Sequence, residues 1–308
     1  MPLPQEPTRP LTNAKSAQAD KELLFKAVLC VLIGLGVLIS PYFIQSPGMQ
    51  GIVANASLVG WFSLVLGIGF GVAEALAAAG AHVVLNSFTD RPEDHALAAD
   101  LARRYGVSAR YIAADMADGA ACRDLIVKAG ACDILVNNAG IQHVAAIENF
   151  PPAMWDRILA INLSSAFHTT AAALPAMKAK GWGRVVNIAS AHGLTASPFK
   201  SAYIAAKHGI VGLSKTTALE VAGLGITANA ICPGYVLTPL VEAQIPDQMQ
   251  VHGMDRDTVI REVMLLRQPS RQFATVAQIG GTTVYLCSPA ADQVTGTTIS
   301  VDGGWTAL

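Results

Sequence analysis

The sequence is short of charge. Lys, Arg, Asp and Glu make up 14% of its 308 residues, against about 25% in ordinary soluble domains. The 21 basic and 22 acidic side chains nearly cancel, leaving a net charge of −1. Without a basic excess, the chain lacks the electrostatic footprint of a nucleic-acid binder. With 52% hydrophobic residues and almost no net charge, it is not a disordered tail protein either. Cysteine is sparse. Cys30, Cys122, Cys132, Cys232 and Cys287 are scattered, odd in number and form no C-x-x-C pair. That argues against a disulfide framework and against a zinc site, predicts no bound metal, and fits a reducing compartment.

The shortage of charge is concentrated in one place. The 47 residues between Lys26 and Glu74 carry no charged side chain. The run Leu23–Ile44 has 22 residues with a single charge, Lys26, and a hydrocarbon core needs about 20. A second, weaker stretch runs from Gly51 to Val72, diluted by Asn55, Ser57 and Ser63. A cleaved signal peptide fits less well, because a polar lead of 22 residues precedes the run and no small-x-small cleavage site is clear. The chain therefore divides into a disordered lead over residues 1–22, an apolar, membrane-like extension over 23–66, and a domain over 67–308.

In that domain, short apolar runs alternate with Ala-rich helical stretches. Strands are predicted at Ala81–Leu85, Ala109–Ala113, Asp133–Asn137, Arg184–Ile188, Thr227–Ile231 and Thr298–Val301. Helices are predicted at Val72–Ala79, Glu93–Tyr105, Met154–Ala179 and Ser201–Ala222. The alternation implies an α/β fold, a Rossmann-like, doubly wound parallel sheet covered on both faces. Such sheets bind ligands at the carboxyl ends of their strands.

Four residues at those ends carry the chemistry. Asn162 falls in a helix, Ser190 closely follows a strand, and Tyr203 and Lys207 open the next helix. Tyr203 and Lys207 are four apart, so they share a helical face. A tyrosine beside an ammonium can serve as a base for an alcohol, because the cation favours the phenolate.

The Ser190-x12-Tyr203-x3-Lys207 spacing, with Asn137-Asn138-Ala139-Gly140 upstream and Pro233-Gly234 downstream, resembles the short-chain dehydrogenase/reductase family over residues 67–308. The resemblance implies nicotinamide-dependent hydride transfer. Asn162, Ser190, Tyr203 and Lys207 would be catalytic, with Asn162 holding a proton-relaying water. Gly67, Ile68, Gly69, Phe88, Asp115, Met116, Asn138, Ala139, Gly140, Tyr203, Lys207, Pro233, Gly234, Val236 and Thr238 would contact the cofactor. The turn after the presumed second strand, Asn86-Ser87-Phe88, lacks a cation for a 2′-phosphate, which favours NAD over NADP, although Arg91 lies three residues further on.

Longer matches, Asn137–His143, Ala189–Leu194 and Val301–Thr306, resemble the family branch that acts on D-3-hydroxybutyrate. They imply a pocket of Gln142, His192, Lys200, Gln244 and Trp305, and the conversion of (R)-3-hydroxybutanoate and NAD to acetoacetate and NADH. Tyr235 departs from the Trp common in that branch. The family also implies a homotetramer and a cytoplasmic catalytic domain, here expected to be membrane-anchored. One feature conflicts. Aligned on Gly67, the family's T-G-x-x-x-G-I-G turn would place Phe62, Ser63 and the bulky Leu64-Val65-Leu66 where small residues cradle a pyrophosphate. A non-catalytic, membrane-associated relative, or a dehydrogenase of another small hydroxy acid, therefore stands as an alternative.

Overall fold

A computed structural model of the protein describes residues 67–307. The lead over residues 1–22 and the membrane-like extension over 23–66 lie outside the described residues. Among the described residues, no helix is long and apolar enough to cross a membrane.

The chain alternates strand and helix from α1 (residues 67–78) onward. There follow β1 (Val83–Ser87), α2 (Pro92–Tyr105), β2 (Ala109–Ala113), α3 (Gly119–Ala129) and β3 (Ile134–Asn137). Next come α4 (Pro152–Leu159), α5 (Ser165–Lys180), β4 (Gly183–Ile188), α6 (Ser201–Glu220) and β5 (Ile226–Pro233). The short β6 (Val236–Leu237) leads into α7 (Pro239–His252) and α8 (Arg256–Val259), then β7 (Ala274–Thr275), α9 (Val276–Cys287) and β8 (Thr298–Val301). The described strands make one parallel sheet in the order β3-β4-β5-β8 and a separate parallel pair, β1-β2. A small β6-β7 ladder lies apart from both.

Central strands follow from their composition. All six residues of β4 and all eight of β5 are buried, as expected where helices cover both faces. Successive side chains alternate between those faces. Val185 packs with Leu135, Met177, Val221 and Ile226, whereas Val186 packs with Val72, Ile231, Ile279 and Leu286. The buried amides form a satisfied network. Asn137 Nδ2 donates to Asn187 Oδ1 (2.8 Å), Asn187 Nδ2 donates to Ser214 Oγ (2.8 Å), and Thr169 Oγ1 donates to Asn137 Oδ1 (2.7 Å). Paired in this way, the amides fix the register of β3 on β4 instead of costing desolvation.

Three expectations are corrected. The predicted helix Met154–Ala179 is two helices joined by a π-turn at Ala160–Ser164; this inserted turn contains Asn162, and such bulges recur at functional sites. Gly67-Ile68-Gly69 is already helical, not a turn ahead of a helix starting at Val72. The strand predicted at Ala81–Leu85 lies two residues later, because Ala81 and His82 still belong to the turn leaving α1. Shifts of one or two residues at the other ends are ordinary fraying.

One glycine fixes how β4 and β5 enter the sheet. Gly225 has φ +71°, and a Cβ there would overlap the carbonyl oxygen of Gly181. Strain and overlap together should cost about 2–4 kcal/mol, so Gly225→Ala is expected to lower the melting temperature by roughly 4–16 °C. Calorimetry checks this; an unchanged transition would show that the entrance can relax.

Candidate active site

The carboxyl end of β4 and the first turns of α6 meet at one point. Ser190 follows β4 and caps a 3-10 turn over Ala191–Gly193, its Oγ accepting the backbone N–H of His192 at 3.1 Å. Lys207 reaches back from α6 and donates to the Ile188 carbonyl at 2.8 Å. Its Nζ lies 5.7 Å from the centre of the Tyr203 ring. This close docking depends on Gly193, where a Cβ would stand 2.8 Å from the Lys207 carbonyl oxygen.

Burial governs the protonation of the pair. It pushes Tyr203 above its ordinary value near 10, and a hydrogen bond with Ser190 pulls weakly the other way. It pushes Lys207 down, to about 8. Burial therefore works against the phenolate that a Lys207 ammonium is expected to favour: in the protein by itself Tyr203 stays neutral at neutral pH, whereas Lys207, at about 8, stays largely protonated.

A cavity of about 310 Å³ opens beside these residues. Of the residues predicted for the site, Ile68, Asn138, Gly140, Gln142, Ser190, His192, Lys200, Tyr203, Lys207, Pro233, Gly234, Val236, Thr238, Gln244 and Trp305 line it. Gly67 and Gly69 stand just behind the wall. A Cβ at Gly67 would come within 3.0 Å of the Thr238 methyl, and one at Gly69 within 2.7 Å of Asn138 Nδ2. The others lie off the wall. Ala139 packs with Met116 in the core, Asp115 accepts from the Ala117 N–H (2.9 Å), and Phe88 follows the end of β1. Asn162 is fully buried. Its Oδ1 accepts from the Ile141 N–H and its Nδ2 donates to the Ile141 carbonyl, each at 2.8 Å. In the protein itself, Asn162 clamps the segment that carries Asn138–Gln142.

Aromatic rings close the far side. Asp302 accepts from the Gly304 N–H and from both the N–H and hydroxyl of Thr306, a turn made possible by positive φ at Gly303 and Gly304. It presents Trp305 stacked on Tyr235 (5.8 Å, 13°) and edge-on to His192 (5.1 Å, 77°). Tyr235 is held in turn by Gln268, whose Oε1 accepts the Tyr235 N–H at 3.0 Å. The aromatic wall expected at position 235 is kept. Gln268 and Arg267 belong to the surroundings of the site but carry no sequence signal, because only folding brings them near residues about 30 to 70 positions away.

Comparison with known proteins follows the geometry. A family model described as enoyl-(acyl carrier protein) reductase matches residues 65–306. The chain belongs to the short-chain dehydrogenase/reductase family. Among members of this family, it is 54% identical to a D-beta-hydroxybutyrate dehydrogenase of Rhizobium meliloti over 245 residues, covering 78% of this chain and 95% of that one. It is 55% identical to a D-beta-hydroxybutyrate dehydrogenase of Cupriavidus necator, covering 78% and 94%. A solved structure of a putative 2-deoxy-D-gluconate 3-dehydrogenase from Agrobacterium tumefaciens with bound NADP is 40% identical, covers 79% of this chain and 93% of that one, and superposes with a TM-score of 0.69. L-sorbose reductase of Gluconobacter frateurii, solved with NADPH and L-sorbose, is 30% identical, covers 78% and 92%, and gives a TM-score of 0.72. The chain is thus an oxidoreductase of this family, with a small-molecule substrate.

Burial and the nearby cations Lys200 and Arg267 push His192 down to about 4. An unfolded chain would take up this proton near pH 6.5. The unfolded state therefore gains stability as the pH falls from about 6.5 to 4, and the fold loses it over the same window. Replacing His192 with Gln should remove that part of the slope in a series of urea titrations; an identical slope in the variant would contradict the assignment.

Proposed function

We propose that the protein oxidises (R)-3-hydroxybutanoate with NAD to give acetoacetate and NADH. One observation carries this reading. One cavity is lined both by Ser190, Tyr203 and Lys207 and by a cation, Lys200, together with Gln142, His192 and Gln244. A short molecule with an alcohol near one end and a carboxylate at the other matches that arrangement. The names carried by the relatives at 54% and 55% identity agree with it.

The residues present suit a dinucleotide at the reacting end. Gly69 lets α1 approach Asn138 and Gly67 lets it approach Thr238, and both of those residues line the cavity with Gly140, Pro233 and Gly234. When bound, a nicotinamide accepts the hydride. Ser190 would hold the substrate oxygen and Tyr203 would take the hydroxyl proton as hydride leaves the carbinol carbon. The cationic form of Lys207 would favour the phenolate and grip the ribose. Asn162 would hold the water that passes the proton onward. Lys200 would orient the carboxylate by a charge-assisted hydrogen bond.

Purified protein should turn over (R)-3-hydroxybutanoate in preference to lactate and simple secondary alcohols. Tyr203→Phe should reduce turnover by about 10²–10⁴-fold without loss of NADH binding. Lys200→Ala should raise KM for the acid by about 10–100-fold, as expected for a charged hydrogen bond made equally in ground and transition states. Failure of NADH to bind at millimolar concentration would favour the non-catalytic alternative, and preferred turnover of another hydroxy acid would reassign the substrate.

The preference for NAD rests on Arg91. Its guanidinium is paired with Asp94 at 3.2 Å. The same carboxylate accepts from the Arg91 N–H (3.0 Å) and the Thr89 hydroxyl (2.7 Å). An arginine held in this way would meet a 2′-phosphate only in competition with Asp94. The NADP and NADPH in solved relatives make this a property to test in the chain itself. Asp94→Asn should release Arg91 and raise kcat/KM for NADP at least fivefold relative to NAD. An equal effect on both cofactors would remove Arg91 from the account.

A further inference from the structure

The wall of the cavity continues outward through a polar contact that the reaction above does not use. His192 Nε2 lies 2.8 Å from Ser197 Oγ. The same oxygen accepts a hydrogen bond from Arg267 Nη1 at 3.1 Å, and Arg267 Nη1 also donates to the Ala196 carbonyl at 3.1 Å. Arginine has donors only, so the direction of its bond to Ser197 is fixed. The serine still has one proton to place. Among the described residues, His192 Nε2 is the acceptor within reach. A serine already polarised by a guanidinium is also a stronger donor. If Nε2 were protonated instead, Ser197 would accept twice and its own proton would have no acceptor among these groups. The imidazole is neutral through the ordinary pH range, since burial, Lys200 and Arg267 all disfavour its cation, so one nitrogen must be an acceptor.

We propose that Arg267 and Ser197 form a relay that holds His192 as the Nδ1–H tautomer, so that this nitrogen donates to the substrate carboxylate beside Lys200. Arg267 and Ser197 are thus positioning residues. They act through His192 and determine whether it meets an anion with a proton or with a lone pair. The relay rests on the proposed acid-binding end of the cavity for its role. The tautomer itself is a property of the free protein. The contact also ties two distant parts of the chain together: Ser197 precedes α6 and Arg267 lies beyond α8, 70 residues away. No local sequence pattern encodes such a pair.

The test uses the full chain labelled with ¹⁵N-histidine, with neither cofactor nor substrate, at about pH 7. In the wild type, the His192 signals should show Nδ1 protonated and Nε2 unprotonated. Ser197→Ala should move them toward the Nε2–H form, and Ser197→Thr, which keeps the hydroxyl, should restore the wild-type pattern. In kinetics, Ser197→Ala should raise KM for the hydroxy acid about tenfold with kcat within twofold, and Ser197→Thr should reverse it. Arg267→Ala should mix the tautomers, and Arg267→Lys, which keeps a donor, should recover much of the wild-type signal. An Nε2–H signal in the wild type, or a tautomer unmoved by both Ser197→Ala and Arg267→Ala, would overturn the relay. Lack of turnover of (R)-3-hydroxybutanoate by wild-type protein would overturn the proposed substrate instead, and the tautomer measurement would still decide the relay.

Discussion

The bond between Lys207 Nζ and the Ile188 carbonyl is the joint of the molecule. It ties a helix to the last residue of a central strand. Everything at the reacting end follows from it. Tyr203 rides on the same face of the helix, Ser190 sits two residues beyond the strand, and Gly193 lets the next turn slide under the helix without a side chain in the way. A lysine buried to this degree would ordinarily be a liability. Here it is tolerated because one proton has a fixed acceptor and the rest of the head faces a cavity able to take a polar ligand.

Burial at that joint keeps the tyrosine of the protein alone neutral and brings the lysine down to about 8, which leaves it largely protonated at neutral pH. His192 is kept neutral first by its burial and then by the cations Lys200 and Arg267.

Much of the reacting end was legible in the sequence because it is encoded locally. Ser190, Tyr203 and Lys207 lie within one strand–loop–helix unit, and their spacing is set by the geometry of that unit. Asp302-Gly303-Gly304-Trp305 is likewise a self-contained turn, and its tryptophan lands on the cavity as predicted. The strands β4 and β5 were legible from apolar runs because burial on both faces demands them. Less legible were features made by tertiary contact. Residues 152–180 have a continuous helical composition, so nothing in the sequence marks the π-turn that turns Asn162 inward to clamp Ile141. Gln268, Arg267 and Ser197 are ordinary polar residues until the fold brings them together. The start of α1 was misplaced because the glycines at 67 and 69 were read as a turn, whereas their lack of side chains serves close approach to Thr238 and Asn138 from within a helix.

The two ends of the proposed dinucleotide site are therefore held by different parts of the chain. Chemistry is organised by β4, β5 and α6, whose packing is continuous through the core clusters around Val185, Val186 and Ile210. The glycines of α1 contribute only clearance, and they do so against Asn138 and Thr238, residues positioned by β3 and by the segment after β6.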